Sequence, residues 1–398
     1  MREAFAPLAS ELAYLDNAAG SFLPRHATDA ISAFLSRYGG VNIKQAFALS
    51  REVTELKDRA RAASATFFNA SPQEVVIGPS STALNFALAR ALSRRFGPGD
   101  EIIVSELEHE SNVSPWRGLE RQGVQLRIWR ARWPEGRLDL ADLGAMLSER
   151  TRMVALCAAA NSVGSTPDVA GAARLARAAG AWTFVDAVHH APHHLPDVQA
   201  WGVDFAVMSP YKVFGPHLGL MYISRQHLAA LDSDRLYFLP DDEPVKFEPG
   251  TAQHELLAGW LGSLEYLCEL GGGGFSRTTL EAAYREIERL EAPVTRRLIE
   301  GLCELPQVTL YGEPGLQGRV GTACFNVAGL SPQQVAERLA EQNVAVAAGH
   351  YYAMLPMQAL GLLPDGAVRA SVAHYTRLED VERLLQVVAG LGAPAVAR

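Results

Sequence analysis

Two neighbouring segments decide the fold: Thr183-Phe-Val-Asp186, and Asp204-Phe-Ala-Val-Met-Ser209 running on into Pro210-Tyr-Lys212. Each is a short apolar run that ends on polar residues. Working outward, the same signal recurs at Glu74–Ile77, Glu101–Val104, Gln125–Ile128, Met153–Cys157 and Gly219–Ile223. Helix-like stretches lie between these runs, at Thr82–Phe96, Asn112–Gln122, Asp139–Ser148 and Val169–Ala179. Alternation of this kind predicts an α/β fold, a mostly parallel sheet with helices on both faces. A ligand then sits beyond the carboxyl ends of the strands, so the residues just after each strand carry the argument.

The pattern changes after about Leu239. Asp241–Glu243 and Pro244 read as a linker. A helix over His254–Leu270 stops at Gly271–Gly274, and a long helical pattern covers Arg277–Leu305, with Pro293 expected to kink or interrupt it. The remainder reads as a small α+β unit: Thr322–Val327, Pro332–Gln342, Val344–Ala347, Ala367–Val372 and Leu378–Gly390. The expected division is a large domain, 16–240, and a small one built from 1–15 and 241–398.

The chain has 398 residues, enough for two domains. A net charge of -8, with arginines scattered rather than in blocks, argues against nucleic acid as a partner. No apolar run reaches the ~20 residues of a membrane span, and Met1–Ser10 lacks the pattern of a secretory signal. Cys157, Cys268, Cys303 and Cys324 form no C-x-x-C pair or disulfide framework, which fits the cytoplasm. Only four of the 36 basic residues are lysines, at 44, 57, 212 and 246. Few residues are therefore available for chemistry that needs an amine.

Asp186 ends one strand, and Lys212 follows the next after Ser209 and two loop residues. Pyridoxal phosphate (PLP) needs two such groups, an amine for its aldehyde carbon and a carboxylate for its ring nitrogen. Gly78-Pro-Ser80-Ser81-Thr82 follows a strand and opens a helix, a place where hydroxyls and free N–H groups gather an anion. His109, in Ser105-Glu-Leu-Glu-His109-Glu-Ser-Asn112, follows a third strand and could stack on a ring; a surface histidine among acids would look the same. Asn161 follows a fourth. Each signal is weak alone; their convergence on one edge of one sheet is the evidence.

These residues stand in motifs that resemble the class V aminotransferase family, in particular cysteine desulfurases and their relatives. The matching stretches are Tyr14-Leu-Asp-Asn-Ala-Ala-Gly20, Ser105–Trp116, Asn161-Ser-Val-Gly-Ser165, Val185–His193, Met208–Gly219, Phe247-Glu-Pro-Gly-Thr251 and Val368-Arg369-Ala-Ser371, in the family's order from about residue 12 to 390. The resemblance implies an aspartate aminotransferase-like large domain and PLP held by Lys212 as a Schiff base. It implies that Asp186 pairs with the ring nitrogen and His109 stacks on the ring, making these two and Lys212 the catalytic set. His189 stands where the family has a glutamine toward the ring's 3-oxygen. Ser80, Ser81 and Ser209 are implied to hold the phosphate, with Thr251 from a partner protomer, and Tyr211 and Asn161 also line the cofactor. Asn17, Asn161, Arg369 and Tyr352 are implied to meet a small amino-acid substrate. A site shared across protomers implies a homodimer.

The chain departs from the pattern at the loop that carries the desulfurase nucleophile. Here it reads Ala347-Ala-Gly349-His350-Tyr351-Tyr352-Ala353, with Tyr352 in the cysteine position. A phenol cannot accept sulfane sulfur as a persulfide. Tyr211 replaces a histidine, His189 a glutamine, and the loop near Asn42–Gln45 has no histidine. Tyr351 and Tyr352 could equally be packing residues that close a lid. His189, His190, His193 and His194 have a spacing that suits zinc on a helix, but Pro192 lies inside the run, so no metal is expected. The expected reaction is β-elimination by a C–S lyase. The alternatives are a desulfurase with an external thiol acceptor, transamination, epimerisation, or PLP binding without turnover. A nucleotide or kinase site lacks a Gly-rich lysine motif to support it.

Overall fold

A computed structural model describes residues 1–391. Its thirteen strands are β1 (Ala13–Tyr14), β2 (Val75–Gly78), β3 (Glu101–Ser105), β4 (Gln125–Trp129), β5 (Thr151–Cys157), β6 (Trp182–Asp186), β7 (Phe205–Met208), β8 (Gly219–Ile223), β9 (Val308–Tyr311), β10 (Thr322–Val327), β11 (Val344–Ala345), β12 (Ala347–Gly349) and β13 (Ala367–Ser371). Seven form one sheet in the order β2-β8-β7-β6-β5-β3-β4. The pairs β3/β4, β3/β5, β5/β6 and β6/β7 are parallel, whereas β8 runs antiparallel to both β7 and β2. Two reversals restore the direction, so β2 points the same way as β7. The carboxyl ends of β2, β3, β5, β6 and β7 therefore open on one edge.

Apolar side chains on both faces explain why these strands read as near-continuous hydrophobic runs. One face packs against helices α1 (Arg25–Tyr38), α2 (Ala48–Phe68), Val169–Ala178 and His254–Leu270; the other packs against α3 (Ser81–Leu92) and the 113–119 turns. A four-stranded antiparallel sheet, β12-β13-β10-β9, has its own core with Leu298, Val335 and Leu384. Leu107, Cys157, Val163, Cys324 and Met357 fill the seam between the two sheets. The first fifteen residues divide: Phe5 and Leu8 join the large-sheet core, whereas Ala13 and Leu15 join the small one, where β1 pairs with β11.

Two helical expectations are corrected. The stretch 112–122 is a chain of short turns, with Pro115 at the start of a four-residue helix and a 3-10 segment from Gly118. The helix Arg277–Cys303 runs through Pro293 without a break. Pro293 and Arg289, whose carbonyl the proline leaves without an N–H partner, are both exposed.

Candidate active site

The five strand ends bring most of the expected residues together. Lys212 closes a 3-10 turn, Pro210–Lys212, just beyond β7. Its Nζ is buried and donates to the Ala18 carbonyl at 2.6 Å. Among the described residues it forms no ion pair. Burial, and then the positive Arg369, push its pKa down to about 8, against Asp186 and Asp16. A buried amine in this state is readily neutral and nucleophilic.

Asp186 ends β6 and accepts the Val188 N–H at 2.9 Å. Burial pushes its pKa up to about 6, opposed by that N–H and by Lys212. His109 Nδ1 accepts the Ser111 N–H at 3.1 Å and lies 2.7 Å from Ser111 Oγ. The neutral ring then carries its proton on Nε2. Burial, Lys212 and Arg369 lower its pKa to about 4, so the imidazole is uncharged at neutral pH.

On the far side His189 Nε2 is 2.9 Å from Thr322 Oγ1, while its buried Nδ1 has no partner. Asn161 donates to the Tyr351 carbonyl at 3.0 Å, and its buried Oδ1 is likewise unpaired. Arg369, on β13, donates to the Asn161 carbonyl at 3.1 Å and to Asp16 Oδ1 at 3.3 Å. Its guanidinium lies 4.5 Å from the centre of the Tyr351 ring. The hydroxyls of Ser209 and Ser81 are 2.8 Å apart at the amino end of α3. Tyr211 stacks on His217 with ring centres 4.8 Å apart.

An inner cavity of about 50 Å³ is lined by Ser81, Thr82, His109, Asp186, His189 and Lys212, among others. A larger cleft of about 780 Å³ shares Thr82, His109, Asn161, Tyr211 and Lys212, and adds Arg369 and the loop 347–352. Gly219 makes the turn before α3 possible: a Cβ there would stand 2.3 Å from the Ser80 carbonyl carbon.

Besides Ser209, which reaches the inner cavity only through Ser81, three expected residues lie outside both cavities. Ser80 caps α3, accepting the Ala83 N–H at 3.1 Å, and does not line either cavity. Asn17 is consumed internally: Oδ1 accepts from the Tyr375 hydroxyl at 2.5 Å, and Nδ2 donates to the Ser371 carbonyl at 2.9 Å. Thr251 lies in a separate cleft with Gly78, Pro79 and Ala83. The histidine run gathers no metal ligands: His193 is 2.7 Å from Glu291, His190 faces His194, and the described residues contain no metal-holding cluster of three or more.

Thr82, quoted only within its motif, lines both cavities; sequence reasoning missed Ser111 and, above all, Glu108. The Glu108 carboxyl is fully buried and accepts from the Ser105 hydroxyl, from Asn112 Nδ2 at 2.6 Å and from the Cys157 N–H at 2.6 Å. Burial drives its pKa up to about 8 despite these donors, and Asp186 adds to the rise. It ties the loop bearing His109 to the end of β5.

The class V aminotransferase profile matches residues 13–384. The chain belongs to the class V aminotransferase family. The aminotransferase-like protein FGM3 of Gibberella zeae is 32% identical over 97% of this chain and 96% of its own. A cysteine desulfurase of Pectobacterium atrosepticum is 32% identical over 98% and 96%. The apo structure of cysteine desulfurase from Thermococcus onnurineus NA1 superposes with a TM-score of 0.90 at 29% identity, covering 98% of this chain and 96% of that one. This class V aminotransferase-family chain is therefore a PLP-dependent enzyme with the fold of its desulfurase relatives. Its residues fit the cofactor: an amine without a counter-ion, a buried carboxylate, two unpaired buried polar atoms and hydroxyls at a helix amino end share one place.

Proposed function

We propose that the enzyme is an amino-acid C–S lyase that works by β-elimination. The supporting observation is the pairing of a complete floor with an altered roof: Lys212, Asp186 and Arg369 face a cleft whose loop carries Tyr352 instead of a cysteine. PLP, when bound, withdraws electrons from the substrate's Cα and so makes its proton acidic.

In this reading Lys212 would hold the cofactor and, as a neutral amine, accept the Cα proton, which would then pass to the departing sulfur. Asp186 stays ionised beside the ring nitrogen and keeps that nitrogen protonated. The neutral His109 offers a ring face without adding positive charge. His189 lines the inner cavity and keeps a buried, unpaired Nδ1. Ser81, Ser209 and Thr82 supply hydroxyls for the phosphate beside the amino end of α3. Arg369 and Asn161 receive the substrate carboxylate, which replaces the contact Arg369 makes with Asp16. The overall change converts a cysteine thioether and water into pyruvate, ammonia and a thiol. The Cα–H and Cβ–S bonds break, and the thiolate leaves with the electron pair.

The separate position of Thr251 favours its service to a neighbouring protomer, hence a homodimer. The four free cysteines favour the cytoplasm. The second reading, desulfuration with an external thiol acceptor, is favoured by the desulfurase relatives. Incubation of holoenzyme with cysteine and cysteine thioethers tests both. Pyruvate and free thiol in equal amounts support the lyase. Alanine with persulfide on an added thiol supports the desulfurase and sinks the lyase.

A further inference from the structure

The outer cleft reaches beyond the residues that would hold the cofactor. Its volume without cofactor is about 780 Å³, and it extends past Thr82, His109, Tyr211 and Lys212, where PLP would lie, to Phe86 and the loop 347–352. Lys212, His109 and Asn161 line both the inner cavity and the cleft, so the α-carbon end of a substrate belongs where the two meet. Phe86, Ala347, Ala348, Gly349 and Tyr352 line only the outer part. Phe86 is a large apolar ring left 41% exposed on α3, and Tyr352 is 66% exposed with its ring 5.6 Å from that of His109.

The polar groups among these walls are largely spent on one another. Glu110 accepts from the Ser114 hydroxyl at 2.6 Å, and its N–H donates to the Tyr352 carbonyl at 2.7 Å. The Tyr352 N–H donates to His350 Nδ1 at 3.1 Å. The lining holds no lysine or arginine besides Lys212 and Arg369, and Glu110 disfavours a second negative charge. Carbon surface, small residues on one wall and aromatic rings on the others suit an uncharged, bulky apolar group.

The geometry points to a subsite for a large apolar S-substituent, so that the substrates are S-aralkyl or S-alkyl conjugates of cysteine rather than cysteine itself. This rests on the lyase reading for its chemistry, though not for the binding. Water enters and pyruvate, ammonia and the apolar thiol leave; no oxidant, reductant or sulfur acceptor is required. A roof without a thiol is what such a reaction can use, because the leaving sulfur keeps its carbon substituent.

The test uses holoenzyme and a sulfur-free ligand pair that cannot eliminate, L-norvaline and its 5-phenyl derivative. Dissociation constants are read from the shift of the cofactor absorbance band. The phenyl derivative is expected to bind at least about tenfold more tightly, the discrimination typical of an apolar pocket. Phe86→Ala, which removes a wall, and Ala348→Phe, which fills the space, are each expected to bring the ratio toward one, with the cofactor band and circular dichroism verifying the fold of both. Equal binding of the two ligands, tighter binding of norvaline, or a ratio unmoved in both variants overturns the subsite. If the phenyl ligand binds tightly but S-benzyl-L-cysteine releases no benzyl mercaptan, the subsite stands and the lyase reading falls.

Discussion

The floor and the roof of the cleft are built on opposite principles. On the floor, Asp186 and Lys212 sit at the ends of adjacent parallel strands, β6 and β7, whose residues are buried on both faces. On the roof, Tyr351 and Tyr352 are consecutive residues with positive φ, 48° and 57°. The left-handed region is costly for a bulky side chain. What holds the loop there is specific: the Tyr351 hydroxyl donates to the Ala367 carbonyl, its ring faces Arg369, and Glu110 and Asn161 clamp the backbone carbonyls. Gly366 allows the close approach, since a Cβ there would meet the Gly349 backbone at 2.1 Å. In the proposed reading the floor holds PLP, and the roof is where this chain departs from the desulfurase pattern.

The comparison breaks most completely at Lys212. Lys212→Ala is expected to lose the visible, borohydride-sensitive cofactor band and all turnover; a variant that keeps either would remove the lysine from the floor. In cofactor-free protein the Lys212 amine should also titrate with a midpoint near 8. Its labelling by an amine-directed reagent then climbs between pH 7 and 9, because the neutral base reacts. Arg369→Met should move that midpoint upward, as a neighbouring positive charge is removed; a wild-type midpoint above 10 would contradict the account.

A smaller effect is expected behind the floor. Glu108→Ala strips the acceptor from three buried donors, a loss of about 3 kcal/mol at roughly 1 kcal/mol for each. Denaturant unfolding of the cofactor-free protein measures it, and no change in midpoint would mean that the Glu108 contacts do not hold the His109 loop.

On the roof the two tyrosines should respond with opposite signs. Tyr351→Phe leaves the Ala367 carbonyl without its donor and is expected to destabilise by about 1 kcal/mol. Tyr352→Gly releases the cost of positive φ at an exposed position, offset in part by the entropy of glycine, for a gain of about 1 kcal/mol or less. If both variants lose stability, the loop is not strained in the way its backbone indicates.

This contrast also governs what the sequence could reveal. The seven strands of the large sheet were legible because double burial writes long apolar runs, and their ends named Lys212, Asp186, His109 and Asn161. Helices α1 and α2 were not read. Only Ala27 and Phe34 of α1 are buried, and α2 buries Ser50, Arg61 and Ser64 on its inner face, which blurs the apolar stripe. Glu108 was invisible for a similar reason: in a run of acids it looks solvated, and only the tertiary structure shows the donors around it. Ser80 and Asn17 carry a different lesson. Their side chains are of the right type, but local sequence does not show that the helix end or the Ser371 backbone has already claimed them.

One feature of the small sheet has a consequence for how the protein is made. Asp16 bridges to Ser371 and pairs with Arg369, so the site is closed by residues 353 positions apart in sequence. A ribosome releases the strands of the large sheet, with Lys212, long before residue 371 appears. Until then the nascent chain carries Lys212 beside a cleft that lacks Arg369 and the Tyr351–Tyr352 loop. The cleft therefore stays incomplete until residue 371 has been made.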